Sequence, residues 1–222
     1  MNSAPSINKN WCNLFTKHVN SSMIADILNE MGIEGKTVTG YDLNLKNKRI
    51  FGKASTLKIR KLGPGENPDG IYNALKSYSM IDDGDIIVVE NEVPNLAYFG
   101  ELNANLAIRS GAIGTIVGGA TRDIENVSQL DYPVFSKGYS SADIKDYGTL
   151  ESINTPITLD STAIYPGDYI IADVNGIVVI PKENLNEVVS TSINSAEREE
   201  SVKINILKGI EAFGITKISG NF

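Results

Sequence analysis

The residues with the most chemistry to offer are Arg122 and Asp123, which follow Gly118-Gly119-Ala120-Thr121. Arginine presents a planar, permanently charged fork that fits a carboxylate or polarises a keto oxygen. Aspartate beside it is a hard oxygen ligand for Mg²⁺ or Mn²⁺. Glycines let the backbone approach a ligand closely. A helix start adds free N–H groups and the positive end of a dipole, both attractive to anions. One segment would thus supply an anion site and a metal site. The same pair also suits a plainer role, a helix-capping carboxylate beside a solvated arginine, and spacing alone leaves both open.

Stepping outward, Thr115-Ile116-Val117 reads as a short buried strand and residues 118–121 as a turn. Arg122-Asp123 then opens a helix running to about Leu130. Residues 103–110 read as a helix stopped by Gly111. This helix–strand–helix unit belongs in an α/β core, where ligands bind beyond the carboxyl ends of strands. Asp82-Asp83-Gly84-Asp85 turns into an apolar strand at 86–89. Tyr165-Pro166-Gly167-Asp168 does the same before 169–172, and Gly176 leads into 177–181. Residues 21–31 have helical spacing, with Ser21 or Ser22 placed to cap and Gly32 to terminate. A strand is predicted at 55–60, a loop at 61–70 and a short helix at 71–79. From Glu183 onward Leu185, Val188, Val189 and Ile193 share a helix face, and Val202, Ile206, Leu207 and Ile210 repeat it. The chain 1–222 reads as one domain, with an N-terminal extension (1–20) and a tail of one or two amphipathic helices (183–214). Glu197, Glu199 and Glu200 fall on a solvated face of that tail.

Composition removes several functions. With 41% hydrophobic residues, the 222-residue chain can build a core. A net charge of −7 argues against a nonspecific nucleic-acid binder, which needs a cationic face. No run of about 18 apolar residues offers a membrane span, and the start lacks the apolar stretch of a secretory leader. The single cysteine, Cys12, cannot form an intrachain disulfide, so a cytoplasmic setting is expected. The single histidine, His18, rules out a one-chain zinc site built on two or three histidines. It is expected at the surface, just before the first helix. Proton transfer then falls to carboxylates, lysines, tyrosines or metal-bound water. Gly111, Gly114, Gly118 and Gly119 do not fit a dinucleotide fingerprint, and no P-loop occurs.

The run from Tyr98-Phe99-Gly100-Glu101-Leu102, through Gly111-Ala112-Ile113-Gly114, to Gly119-Ala120-Thr121-Arg122-Asp123 resembles the signature of one superfamily. It comprises the 4-hydroxy-4-methyl-2-oxoglutarate / 4-carboxy-4-hydroxy-2-oxoadipate aldolases and the related regulator of ribonuclease activity A. Asp26-Ile27-Leu28, Gly84 to Val89, Pro133-Val134-Phe135 and Pro166-Gly167-Asp168 to Pro181 resemble further blocks in the same order. The likeness covers roughly residues 20–210.

This resemblance implies an α/β protein of the RraA-like swivelling β/β/α fold, forming trimers or hexamers with active sites between subunits. It implies Mg²⁺ or Mn²⁺ held mostly through water, with Asp123 as the direct ligand and Arg122 as the substrate arginine. Gly100, Glu101, Leu102 and Asn103 match the substrate loop, whose backbone N–H groups meet a pyruvyl carboxylate. Glu101 matches an acidic position near the metal's water shell. Glu199 matches a glutamate donated by a neighbouring subunit. The implied activity is metal-dependent cleavage of a 4-hydroxy-2-oxo di- or tricarboxylic acid to pyruvate, with oxaloacetate decarboxylation alongside. The alternatives are a non-catalytic regulator that binds a ribonuclease and a diverged relative acting on another 2-oxo acid. Two departures stand out. Asn126 occupies a position that is often acidic in the family, and Gly118-Gly119 replaces Asp-Gly. Losing an outer carboxylate costs about 10–100-fold at a metal site. Lys137 and Lys145 are the candidates for a rival Schiff-base chemistry, and otherwise read as solvating lysines.

Overall fold

The computed structural model describes residues 9–211, with side chains from Cys12 onward. Helix α1 (Lys9–His18) and helix α2 (Ser21–Glu30) come first. Two short strands, β1 (Thr37–Val38) and β2 (Asp42–Leu43), precede the long β3 (Ile50–Lys61). A 3₁₀ helix over Pro68–Met80 leads to β4 (Ile86–Asn91), α3 (Glu101–Ser110) and β5 (Gly114–Thr121). Next are α4 (Ile124–Gln129), β6 (Val134–Tyr139) and β7 (Gly148–Ile153). Strands β8 (Ile157–Leu159), β9 (Thr162–Ile164), β10 (Tyr169–Asp173) and β11 (Gly176–Ile180) precede the long helix α5 (Leu185–Leu207). This is a mixed α/β fold, and the predicted tail is one helix. Residues 1–8 of the predicted extension and 212–214 of the tail lie outside the described residues.

The sheet runs β1-β11-β10-β3-β4-β5-β6-β2, with β7 also paired to β3. Strands β3 to β6 are mutually parallel, whereas β10 and β7 run antiparallel to successive halves of β3. Alternation along β4 shows how the sheet is buried on both faces. Ile86 and Val88 join an inner cluster with Ile116, Phe135 and Ile170, while Ile87 and Val89 join Phe99, Ala104 and Val127 under the helices. A strand buried on both sides reads as a continuous apolar run, as Ile86-Ile87-Val88-Val89 does.

Several sequence expectations change. Residues 118–121 are not a turn but the last half of β5. Bare backbone is needed there because residues 91–94 lie against it. A Cβ on Gly118 would sit 2.9 Å from the Val89 carbonyl oxygen, and one on Gly119 would sit 2.7 Å from Asn91 Nδ2. The pairing with β6 shifts register between Val117 and Ala120. The cap of α2 is Asn20, whose side chain accepts from the Met23 N–H, rather than a serine. His18 is exposed as expected, but it closes an additional helix, α1, instead of preceding the first one. That helix is anchored by Cys12, Phe15 and Val19, spaced three and four apart, which pack with Ile24, Leu28 and Phe51.

Ser21 has a different duty. Buried Asp173, at the end of β10, accepts from the Ser21 N–H (3.0 Å), Ser21 Oγ (2.7 Å), the Asn175 N–H (2.9 Å) and Arg49 Nε (3.2 Å). Arg49 Nη1 in turn donates to the Thr16 and Val19 carbonyls at 2.7 Å each. One carboxylate thus ties the sheet to both leading helices. Burial pushes the Asp173 pKa up, but the bonds from Ser21 and Asn175 and the Arg49 charge outweigh it, so the net shift is downward. A depressed folded pKa means stabilisation that is present above the unfolded value and lost as pH falls through the folded one. Asp173→Ala strands a half-buried guanidinium, so it should cost about 3 kcal/mol at pH 7. In urea titrations the gap between mutant and wild type should narrow below about pH 4.

Candidate active site

Three segments are laced together beyond the carboxyl ends of β4, β5 and β6. The Arg122 N–H donates to the Phe99 carbonyl (2.9 Å), as does Thr121 Oγ1 (2.7 Å), and the Ser140 N–H donates to the Thr121 carbonyl (3.0 Å). Isolated bridges join Phe99 to Thr121 and Ala97 to Asp143. These bonds hold the loop before α3 against the end of β5, which with the end of β6 and the loop after it forms a cavity of 390 Å³, lined by Arg122, Asp123, Ile124, Tyr139, Ser140 and Ser141.

Asp123 stands at the cap position of α4 in the left-handed conformation, φ 56° and ψ 34°, yet its side chain does not cap that helix. Its Oδ2 instead accepts the Glu101 N–H at 3.2 Å, at the start of α3, and lies 3.6 Å from Arg122 Nε. Asp123 therefore does not cap α4 with its side chain but takes the first N–H of α3. The six-residue α4 also displaces the predicted helix start: Arg122 precedes the helix, and the longer α3 brings its N-terminus to the pair. There the Glu101 N–H is taken by Asp123, while those of Leu102 and Asn103 have no acceptor among the described residues.

The predicted loop residues divide by what their side chains do. Gly100 is open-backed against the pair: a Cβ there would lie 2.6 Å from Asp123 Oδ2 and 3.0 Å from Arg122 Cγ. Leu102 is 79% exposed. The Asn103 side chain is spent on structure, accepting from Tyr78 Oη (3.1 Å) and donating to the Tyr98 carbonyl (3.0 Å). At Asn103 only the backbone is left for a ligand. Glu101 Oε2 accepts from Asn126 Nδ2 at 2.7 Å, so the residue that departs from the family pattern holds a neighbouring carboxylate by hydrogen bond.

Asp143, Tyr139, Ser140 and Ser141 were not singled out as site residues by sequence. Asp143 Oδ2 binds Arg122 Nη1 at 2.6 Å. The signal that could have found them is position, since they follow a parallel strand at its carboxyl end. Burial, and then the Asp42 charge, raise the Tyr139 pKa, so its phenol stays neutral.

Other candidates lie elsewhere. Glu199 and His18 line a separate groove between α1 and α5, and Glu199 pairs with Lys203 at 3.7 Å. Lys137 is bonded to Asp160. Lys145 is paired with Asp69 at 3.5 Å, and its pKa is raised by a hydrogen bond and charge from Tyr72 and then by Asp69. A lysine held protonated is a poor amine nucleophile.

No group of three or more His, Cys, Asp or Glu side chains suited to a metal occurs among the described residues. The chain's own donor set is Asp123, whose Oδ1 has no hydrogen-bond partner among the described residues, with Glu101 nearby through Asn126. One hard oxygen ligand fits a cation such as Mg²⁺ that keeps much of its water shell.

Comparison with known proteins agrees with this architecture. A family profile described as RraA-like, Aldolase/RraA, matches residues 21–179. A protein of Halalkalibacterium halodurans provisionally named 4-hydroxy-4-methyl-2-oxoglutarate aldolase is 31% identical over 192 residues, covering 84% of this chain and 86% of that protein. Protein DlpA of Legionella pneumophila is 32% identical over 191 residues; the match covers 86% of this chain but spans only 31% of DlpA. Among solved structures, Streptomyces coelicolor RraAS2, described as an unusual member of the RNase ES inhibitor RraA protein family, superposes with a TM-score of 0.78. The two are 21% identical, over 90% of this chain and 100% of that one. By sequence over most of its length, and by fold, this chain belongs to the RraA-like family.

Proposed function

We propose that the protein is a divalent-metal-dependent carbon–carbon lyase that releases pyruvate from a 4-hydroxy-2-oxo acid. Oxaloacetate decarboxylation is expected alongside, because it passes through the same enolate. The observation that carries the reading is that the Arg122 guanidinium and the Asp123 carboxylate meet at one cavity, next to the open N–H groups that begin α3.

In this mechanism the Leu102 and Asn103 N–H groups take the substrate carboxylate, and Arg122 donates to the 2-keto oxygen. Glu101, with Oε2 fixed by Asn126, accepts the 4-hydroxyl proton through water at its other oxygen. As that proton leaves, the C3–C4 bond breaks. Its electron pair becomes the C2–C3 double bond, and the keto oxygen gains the negative charge. Arg122 stabilises that charge. Protonation at C3 from water gives pyruvate, and C4 leaves as a carbonyl compound. Asp123 would hold Mg²⁺ or Mn²⁺, which when bound supplies Lewis acidity at the keto oxygen. Glu199 of a neighbouring subunit would complete the outer shell in a homotrimer or hexamer. Among the described residues no helix is long and apolar enough to cross a membrane.

The test is pyruvate release from 4-hydroxy-4-methyl-2-oxoglutarate and from oxaloacetate, above the uncatalysed rate. EDTA should abolish turnover and added Mg²⁺ or Mn²⁺ should restore it, while borohydride with substrate should trap no lysine adduct. Absence of pyruvate across a panel of 2-oxo acids with metal present would favour the regulator reading instead.

A further inference from the structure

We infer that Asp143 is a positioning residue for this chemistry, setting the orientation of the Arg122 guanidinium from the loop after β6. The inference rests on the lyase reading above.

Asp143 Oδ2 takes Arg122 Nη1 at 2.6 Å, and Nε faces Asp123 Oδ2 at 3.6 Å. The remaining nitrogen, Nη2, has no hydrogen-bond partner among the described residues. The guanidinium is therefore held closely at Nη1 and faces a carboxylate at Nε, with one donor edge left for a ligand. Asp143 is itself fixed. Its Oδ1 accepts the Lys145 N–H at 2.7 Å, and on either side of it the Ala97 N–H donates to the Ala142 carbonyl and the Ile144 N–H to the Ala97 carbonyl. Ala97 belongs to the same loop that runs into Gly100 and α3. One carboxylate thus ties the arginine to the backbone that carries the open N–H groups.

The pair is too exposed to exist for stability. Arg122 and Asp143 side chains are 38% and 47% exposed, and exposed ion pairs add little to folding. Orientation is a different quantity: a displacement of about 1 Å in a catalytic group can cost ~10²-fold in rate. The same contact could instead act as a latch, with Asp143 competing against substrate for Arg122, and the two roles have opposite signatures.

Wild type, D143A, D143N, R122A and R122A/D143A should be compared for pyruvate release at saturating metal. Positioning predicts that D143A lowers kcat roughly 10- to 100-fold at an unchanged melting temperature. D143N, whose amide oxygen still accepts from Nη1, should recover most of that loss and serves if D143A does not fold. The double variant should be no slower than R122A. Independent, multiplying losses would overturn the inference, as would a D143A enzyme with lower KM and undiminished kcat. If the wild type releases no pyruvate, the lyase reading fails by itself. The same variants would then be titrated calorimetrically with oxalate, a mimic of the pyruvate enolate. Weaker binding in D143A, with no further loss in the R122A background, supports the inference. Equal affinity in D143A and wild type, or no binding by the wild type, overturns it.

Discussion

Arg122→Ala should lower kcat for pyruvate release roughly 10²–10³-fold, the loss expected when one preorganised donor to a developing oxyanion is removed. The effect should fall mainly on kcat. In the proposed mechanism the guanidinium makes its largest contribution once the keto oxygen becomes an enolate, while the α3 N–H groups would still hold the carboxylate of the ground state. Stability should change little, because the Arg122 side chain is 38% exposed and its ion pairs lie at the cavity rim. Steady-state kinetics alongside thermal melting would check both halves. Near-wild-type turnover in the folded variant would remove Arg122 from the mechanism.

Gly100→Ala should have the next largest effect, about 10²-fold on kcat/KM with the fold intact. The backbone at Gly100 is extended, φ −157° and ψ −164°, a conformation open to any residue. The cost is purely steric and local. The new methyl carbon would sit 2.6 Å from Asp123 Oδ2 and 3.0 Å from Arg122 Cγ, so both side chains must move. They are short of alternatives, because Oδ2 also accepts the Glu101 N–H. A single methyl group would therefore disturb the arginine, the carboxylate and the start of α3 together. Kinetics with a circular-dichroism melt would separate this from unfolding, and a loss matched by a large drop in melting temperature would contradict it.

What the sequence made legible was local. Ile86-Ile87-Val88-Val89 announces a strand buried on both faces, and Gly111 does end α3 in the left-handed region, φ 95°. Arg122, Asp123 and Gly100 belong to segments that resemble a known family's signature, so their convergence could be expected from that resemblance before the fold was seen. Nonlocal contacts were not legible. Gly118-Gly119 has the composition of a turn, but it lies within β5, where residues 91–94 approach too closely for side chains. Asp143 sits in a stretch with no periodicity, and only the parallel placement of β5 and β6 carries it to Arg122. Asn126 looked like a missing charge; its bond to Glu101 became visible only when α3 and α4 were side by side. Cys12, Phe15 and Val19 have helical spacing, but polar neighbours hid a helix that Phe51 and Leu28 complete.

The left-handed backbone at Asp123 has an evolutionary consequence. Glycine, asparagine and aspartate tolerate φ 56° best, whereas a β-branched residue there would strain the chain. Mutational drift at this site is thus funnelled through residues that preserve the fold. Asparagine and glycine keep the geometry but carry no charge for a cation. On the proposed mechanism, a lineage abandoning lyase chemistry could cross that step without misfolding, so the amino acid at this position would sort metal-binding members of the family from those that hold no metal.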